Sequence, residues 1–370
     1  MLKQKHEAIM AELAELDTGK AQPLFHTFPV INIFREDEDG KKEAILRKRE
    51  DRKLLEGKNG AVRGFCDALE AEAVARAKVE GAFFEEGAIQ FLMEPDCDGL
   101  TLKSQASLGW SALKPTLGTI SRYGMGATAP SLTQIAVSAK TVEDTAAVLE
   151  AVAAVDKKDS MSRDCYIYDY TEGLEGDLKG MVIAVPEQFF ALQLSEPQKA
   201  LYANVCEILQ EQGATIEKVE LPWEEYIQPI HEMVTACEKT MTLSGMTGLS
   251  DVDQYDLELG NYLLQRENYE MYTKVLKMRS LIKDAFDLLL RDHSVLLVPF
   301  TWGDDVYFAG ANLSGLPTMA LPIMPGSDRA AEEVQTQCST GIQMVAGANQ
   351  EKILIKVAYA ISKAYGKEGR

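Results

Sequence analysis

Paired cysteines, clustered histidines and long apolar runs are all missing from this sequence, and each absence removes a class of function. The six cysteines, Cys66, Cys97, Cys165, Cys206, Cys237 and Cys338, are scattered with no Cys-x-x-Cys pair. The four histidines, His6, His26, His231 and His293, show no ligand spacing. A metal centre therefore has no support, no cofactor is expected, and the thiols read as buried or idle. No apolar stretch reaches the roughly eighteen residues that cross a bilayer. The opening Met1-Leu2-Lys3-Gln4-Lys5-His6 leads into an amphipathic pattern and not a signal-peptide core, so a cytoplasmic location without membrane contact is expected. Basic residues are in deficit, 38 against 57 acidic, for a net charge of −19. That balance excludes a direct nucleic-acid surface of any size.

What remains is ample for folding. With 370 residues and 46% hydrophobic content the chain can bury a full core, as one large α/β domain or two ordinary ones. Periodicity predicts helices over Lys3–Leu16, Lys41–Gly57 and Val62–Val79, and an extended run over Phe28–Phe34. The charged cluster Arg47 to Lys53 reads as a solvated helix face. Thr141 with Asp144 caps a helix from Val142 to Val155. A β-α-β unit follows: a strand at Met181–Val185, a capping box at Ser195-Glu196-Pro197-Gln198, a stripe of Leu201, Val205, Ile208 and Leu209, then a strand at Ala214–Leu221. Tyr166, Tyr168 and Tyr170 read as surface packing. Further helices are expected at Tyr226–Thr242, at Tyr262–Arg291 with Val275, Met278, Ile282, Phe286 and Leu289 buried, and at Gln350–Tyr365. Val295–Pro299 reads as a buried strand.

Several spaced blocks are more specific. They are Leu113-Lys114-Pro115-Thr116, Gly118-Thr119-Ile120-Ser121-Arg122-Tyr123-Gly124, Ser131-Leu132-Thr133-Gln134-Ile135 and Thr141-Val142-Glu143-Asp144-Thr145. Ala311-Asn312-Leu313-Ser314-Gly315-Leu316-Pro317, Met319-Ala320-Leu321-Pro322 and Gly341 to Gly347 continue the pattern. Read together, from about Gly87 to Ala364, they resemble the amidase-signature family, and within it the branch of glutamyl-tRNA(Gln) amidotransferase A subunits. The resemblance implies an α/β/α layered domain with a central mixed sheet. It also implies one domain over 1–370, with 1–86 a divergent, shortened N-terminal part and 87–364 the family-like core.

The family's reaction needs a serine nucleophile after a Gly-Gly pair, a second serine, and a lysine acting as base through it, because a hydroxyl attacks poorly until its proton is taken. Counting back from Lys114-Pro115-Thr116 aligns Glu94-Pro95-Asp96-Cys97-Asp98-Gly99-Leu100 with that motif, Asp96 and Gly99 falling on its Asp and Gly. Leu100 takes the nucleophile position, Arg76 the second-serine position, and no Lys-Asp-Asn turn exists to supply the base. Asp305 falls where the family's A subunits hold the substrate's amino group, while Tyr255-Asp256 replaces an Arg-Arg clamp. Cys97, Ser104 and Ser107 are the nearby alternative nucleophiles.

The stretch Gly57–Gly87 is too short for the family's usual elements, which would leave Phe83, Phe84, Ile89 and Phe91 to be covered by a protein partner or a second copy. The expected function is a catalytically inactive scaffold or binding partner. The alternative is a divergent amidase, or a glutamine-hydrolysing component that supplies ammonia for tRNA-dependent transamidation, with a small amide as ligand.

Overall fold

Successive side chains along strand β4 (Gln90–Asp96) point to opposite faces of the sheet, and this period of two sets the layout of the fold. Phe91 and Met93 point to one side; Leu92, Glu94 and Asp96 point to the other. The computed structural model describes residues 31–32, 34–36, 42–44, 90–107, 109–123, 129–163, 169–187, 196–243, 251–299, 306–323 and 341–368. Among these the strands are β1 (Ile31–Asn32), β2 (Phe34–Glu36), β3 (Lys42–Ala44), β4, β5 (Ser111–Lys114), β6 (Gln134–Ala139), β7 (Val182–Pro186), β8 (Thr215–Val219), β9 (Val295–Pro299), β10 (Thr318–Pro322) and β11 (Gly341–Val345). Nine of them form one sheet in the order β1-β4-β6-β5-β10-β11-β9-β7-β8. The pairs of β7 with β8 and with β9 are parallel and the others antiparallel, so the sheet is mixed, as expected.

The helices are α1 (Leu100–Ser107), α2 (Val142–Val152), α3 (Glu196–Glu211), α4 (Glu224–Leu243), α5 (Asp251–Leu264), α6 (Tyr269–Asp292), α7 (Val306–Ser314) and α8 (Glu351–Glu368). One face of the sheet presents large aliphatic side chains, among them Met93, Leu113, Val137, Met319 and Met344, and packs against α2, α3 and α8. The opposite face is built differently in its middle. There Ala112, Ala136 and Ala320 make a shallow bed that admits α1 and α7 through Leu102, Ala106 and Phe308. Beyond it Leu296, Val298 and Val345 carry α4 and α6. The β7-α3-β8 unit is the expected β-α-β crossover.

Several sequence expectations are corrected. Lys42–Ala44 is a strand paired with β2, Phe34 opposite Ala44, and not the start of a charged helix. Backbone pairing across a hairpin overrides a local charge pattern. The single helix expected over Tyr262–Arg291 is broken: α5 stops at Leu264, and Asn268 turns the chain by donating its side-chain amide to the Tyr262 carbonyl (2.9 Å) before α6 begins. Tyr170 is no surface residue but is buried in the main core. Phe91 likewise lies inside that core between β1 and β6 and exposes no apolar face. Phe83, Phe84 and Ile89, with the helices expected at Lys3–Leu16 and Val62–Val79, fall outside the described residues. No helix among the described residues is long and apolar enough to cross a membrane.

The loop after β5 is closed at Gly118, whose φ of +91° lies in the left-handed region. Its carbonyl accepts from Arg163 N at 3.0 Å, and a Cβ here would stand 2.0 Å from the Met161 carbonyl oxygen. Gly118→Ala is therefore expected to lower stability by about 2 kcal/mol or more, since it combines backbone strain with a clash against main chain that cannot rotate away. Urea denaturation of the variant against the parent measures this, and an unchanged midpoint would contradict the geometry.

Candidate functional site

The segment from Asp96 to Leu100 leaves β4 and enters α1 through a tight turn. Gly99 makes that turn at φ +85°, packed so closely against α7 that a Cβ would come within 2.4 Å of Phe308. A helix opens with backbone N–H groups that lack intrahelical acceptors, and here the chain's own carboxylates take them. Asp96 accepts from Gly99 N (3.1 Å) through one oxygen and from Thr101 N (3.2 Å) through the other; Asp98 accepts from Leu100 N (3.0 Å). Leu100 occupies the first position of the helix, half-buried, with no group that can attack a carbonyl.

Beneath this turn lies a buried ion pair. The register that places Leu113 and Met93 on either side of Val137 also puts Lys114 on the same face of the sheet as Asp96. The Lys114 ammonium stands 3.7 Å from Asp96 Oδ2, both side chains wholly inaccessible, and Nζ makes no hydrogen bond among the described residues. Burial raises the pKa of Asp96, with Lys114 opposing, and burial lowers that of Lys114, with Asp96 opposing. Both directions say that loss of water outweighs mutual attraction, as expected of ions in a dry interior.

Helix α4 reaches the same turn from the other side. His231 is buried on α4 and its Nε2 donates to the Cys97 carbonyl at 2.7 Å. Burial lowers its pKa, so the neutral ring is favoured. The imidazole is thus spent on a peptide group and activates no side-chain nucleophile. Cys97 itself is a poor nucleophile: burial, then the adjacent Asp98 and Asp96 carboxylates, hold its thiol well above the ordinary thiol range. Ser104 is half-buried on α1, one helical turn beyond Leu100.

The other blocks singled out in the sequence tie elements together. Thr116 N donates to Glu351 at the start of α8 (2.7 Å), and Thr116 Oγ1 accepts from Asn349 N (2.8 Å). Gln134 donates to the Pro115 carbonyl at 2.6 Å. Arg122 bonds the Thr133 carbonyl (2.9 Å) and Asp159 (3.4 Å), while Ser121 donates to Asp156 (2.6 Å). Asp256 is buried in an ion pair with Lys239 (2.7 Å) that joins α4 to α5. Arg76 and Asp305 lie outside the described residues.

Sequence reading missed three participants: Lys114 as the partner of Asp96, His231 as the contact to the turn, and Phe308 as its cover. Lys114 alone carried a signal, being a lysine at an inward-facing strand position.

Two outcomes are expected. Asp96→Ala leaves a buried ammonium and two N–H groups unanswered and should cost about 3–5 kcal/mol; the double variant Asp96→Leu with Lys114→Met should recover much of that loss. A double variant no more stable than Asp96→Ala would show that the pair is not the source. For His231, a folded pKa below the ordinary value means that the unfolded chain binds the extra proton first. The stability this residue lends is full above about pH 6.5 and is lost as pH falls toward the folded pKa. His231→Gln should flatten the stability-versus-pH curve there by up to about 1.4 kcal/mol per pH unit, read by urea denaturation between about pH 5 and 8. An unaltered slope would remove His231 from the turn's energetics.

The surrounding scaffold has known relatives. The Amidase family profile matches residues 109–355, a span that opens after α1 and so leaves out the Asp96–Leu100 turn. The A subunit of glutamyl-tRNA(Gln) amidotransferase from Staphylococcus saprophyticus is 30% identical over 315 residues, 74% of this chain and 63% of that protein. The protein of the same name from Lachnoclostridium phytofermentans is 28% identical over 310 residues, 72% and 63% of the two chains. The crystal structure of its Thermotoga maritima namesake superposes with a TM-score of 0.60 at 25% identity, covering 73% of this chain and 61% of that one. The chain thus spans just under two thirds of the length of the curated relatives it matches. With two thirds of its residues inside the profile and a fold that superposes on the Thermotoga maritima structure, this chain belongs to the amidase-signature family.

Proposed function

We propose that this protein is a catalytically inactive member of its family, one amidase-like domain with a shortened N-terminal part, which acts in the cytoplasm as a scaffold or binding partner. The observation that carries this reading is the Asp96–Leu100 turn. The sequence resemblance sets Leu100 at the nucleophile position, and the N–H groups of Gly99, Leu100 and Thr101 already serve Asp96 and Asp98. An oxyanion is stabilised by donors held free and aimed at one point. Two carboxylates at that point do the reverse, since a developing negative charge would meet their fields at short range. The second-serine position, Arg76, and the absent lysine turn support the same reading at the level of sequence. The relatives are named as subunits of an amidotransferase, which favours a protein partner over a solitary role.

Purified protein, alone and with any co-purifying partner, is expected to release no ammonia from glutamine, asparagine or aryl amides above the buffer rate. Leu100→Ser by itself should not restore turnover, because the donors stay occupied and no base is supplied. Turnover that survives purification and vanishes in Cys97→Ala or Ser104→Ala would overturn the proposal in favour of a divergent amidase with a relocated nucleophile.

A further inference from the structure

On the face of the sheet away from the Asp96–Leu100 turn, residues 169–177 run as a strap over α2 and α8. Thr171 bonds Glu150 of α2 (2.7 Å), Lys352 of α8 pairs with Asp169 (3.0 Å), and Glu175 accepts from Lys363 (2.8 Å) and Tyr359 (3.3 Å). A cavity opens on each side of the Glu175–Tyr359 contact. One, about 430 Å³, reaches to Glu143 at the start of α2; the other, about 460 Å³, reaches to Glu211 at the end of α3. They share Leu174, Glu175 and Tyr359, so together they make one open groove with an apolar floor of Leu174, Ile208 and the Tyr359 ring.

The charges along this groove are unbalanced. Among the described residues Lys363 is the one cation in its lining, and it is already engaged by Glu175; Lys356 and Lys179, nearby, act on Asp177. Glu143 and Glu211, at the two ends, are exposed and have no ion-pair partner among the described residues. Glu211 is also badly placed for its own helix. It is the last residue of α3, whose final turn holds no basic residue, and a carboxylate there opposes the helix field. That arrangement favours a ligand's positive charge over the fold's stability.

We propose that this groove docks an extended, basic segment of a partner protein, with its cationic side chains on Glu143 and Glu211 and small apolar ones over Leu174 and Tyr359. A free organic cation fits less well. The carboxylates are in solvent, where each ion pair is worth little, and only a ligand that also covers the floor gains enough to stay. The groove and the Asp96–Leu100 turn lie on opposite faces of the sheet, so this inference does not depend on the protein being inactive.

The test is a fluorescence-anisotropy titration of the full chain with a labelled peptide of three arginines spaced by leucine and alanine. A second peptide with glutamine for arginine, and spermidine as competitor, complete the set. The arginine peptide should bind and the glutamine peptide should not. Glu143→Gln with Glu211→Gln should weaken binding by about fivefold or more, while Glu258→Gln with Glu270→Gln, which removes the same charge from α5 and α6, should leave it unchanged. Equal weakening by both double variants would reduce the effect to the chain's overall −19 charge and overturn the site. No binding of the arginine peptide would overturn it as well, and so would spermidine displacing the peptide at equal affinity, which assigns the groove to a free polyamine.

Discussion

An ammonium and a carboxylate buried together under a helix terminus hold the centre of this structure. Asp96 is bound by Lys114 on one side and by the N–H groups of Gly99 and Thr101 on the other. It therefore couples β5 to the first turn of α1. Taking two charges out of water is unfavourable by several kcal/mol each, and their attraction alone does not restore it. The arrangement persists because the carboxylate also satisfies backbone donors that the start of any helix leaves open. Once Asp96 is fixed, Gly99 must turn at positive φ, Phe308 can close over it, and α7 settles on the alanine bed.

The sequence blocks beyond this turn serve mainly to tie elements together. Thr116 pins α8, the Pro115 carbonyl receives Gln134, and Arg122 gathers the loop before β6. These side chains serve topology, and losing one would loosen several elements at once. The Leu100 side chain has no such duty. Leu100 opens α1, and its N–H is taken by Asp98. Fold and chemistry draw on different residues, so one can be kept while the other lapses.

The two faces of the sheet divide the molecule's interactions. On the face that carries α1 and α7, polar groups are buried: Asp96 is answered by backbone N–H groups and α4 adds His231 to the Cys97 carbonyl, whereas Lys114 Nζ, Gln105 Oε1 and both amide atoms of Asn312 have no hydrogen-bond partner among the described residues. On the other face the core is apolar, mostly aliphatic with Phe91, Tyr170 and Tyr202 among it, and its charged groups stand outside it, along the strap and α8. Exposed pairs of that kind contribute little to stability, which leaves their residues available for contact with other molecules.

Much of this was legible in the sequence because it is local or depends on spacing. The β7-α3-β8 unit, α2 with its Thr141 cap, β9 and α8 follow from period and capping residues, and the blocks around Lys114 and Gly118 pointed to the family and the mixed sheet. Other features depended on contacts between distant segments. Whether Tyr170 and Phe91 face water or core is decided by what covers them, and the break at Asn268 by a side chain reaching back to Tyr262. Nothing near Lys114 in the chain announces that its charge will be answered by Asp96, and nothing near His231 points to the Cys97 carbonyl. Those partnerships exist only once strand register and helix packing bring residues many positions apart to within bonding distance, so tertiary structure alone decided them.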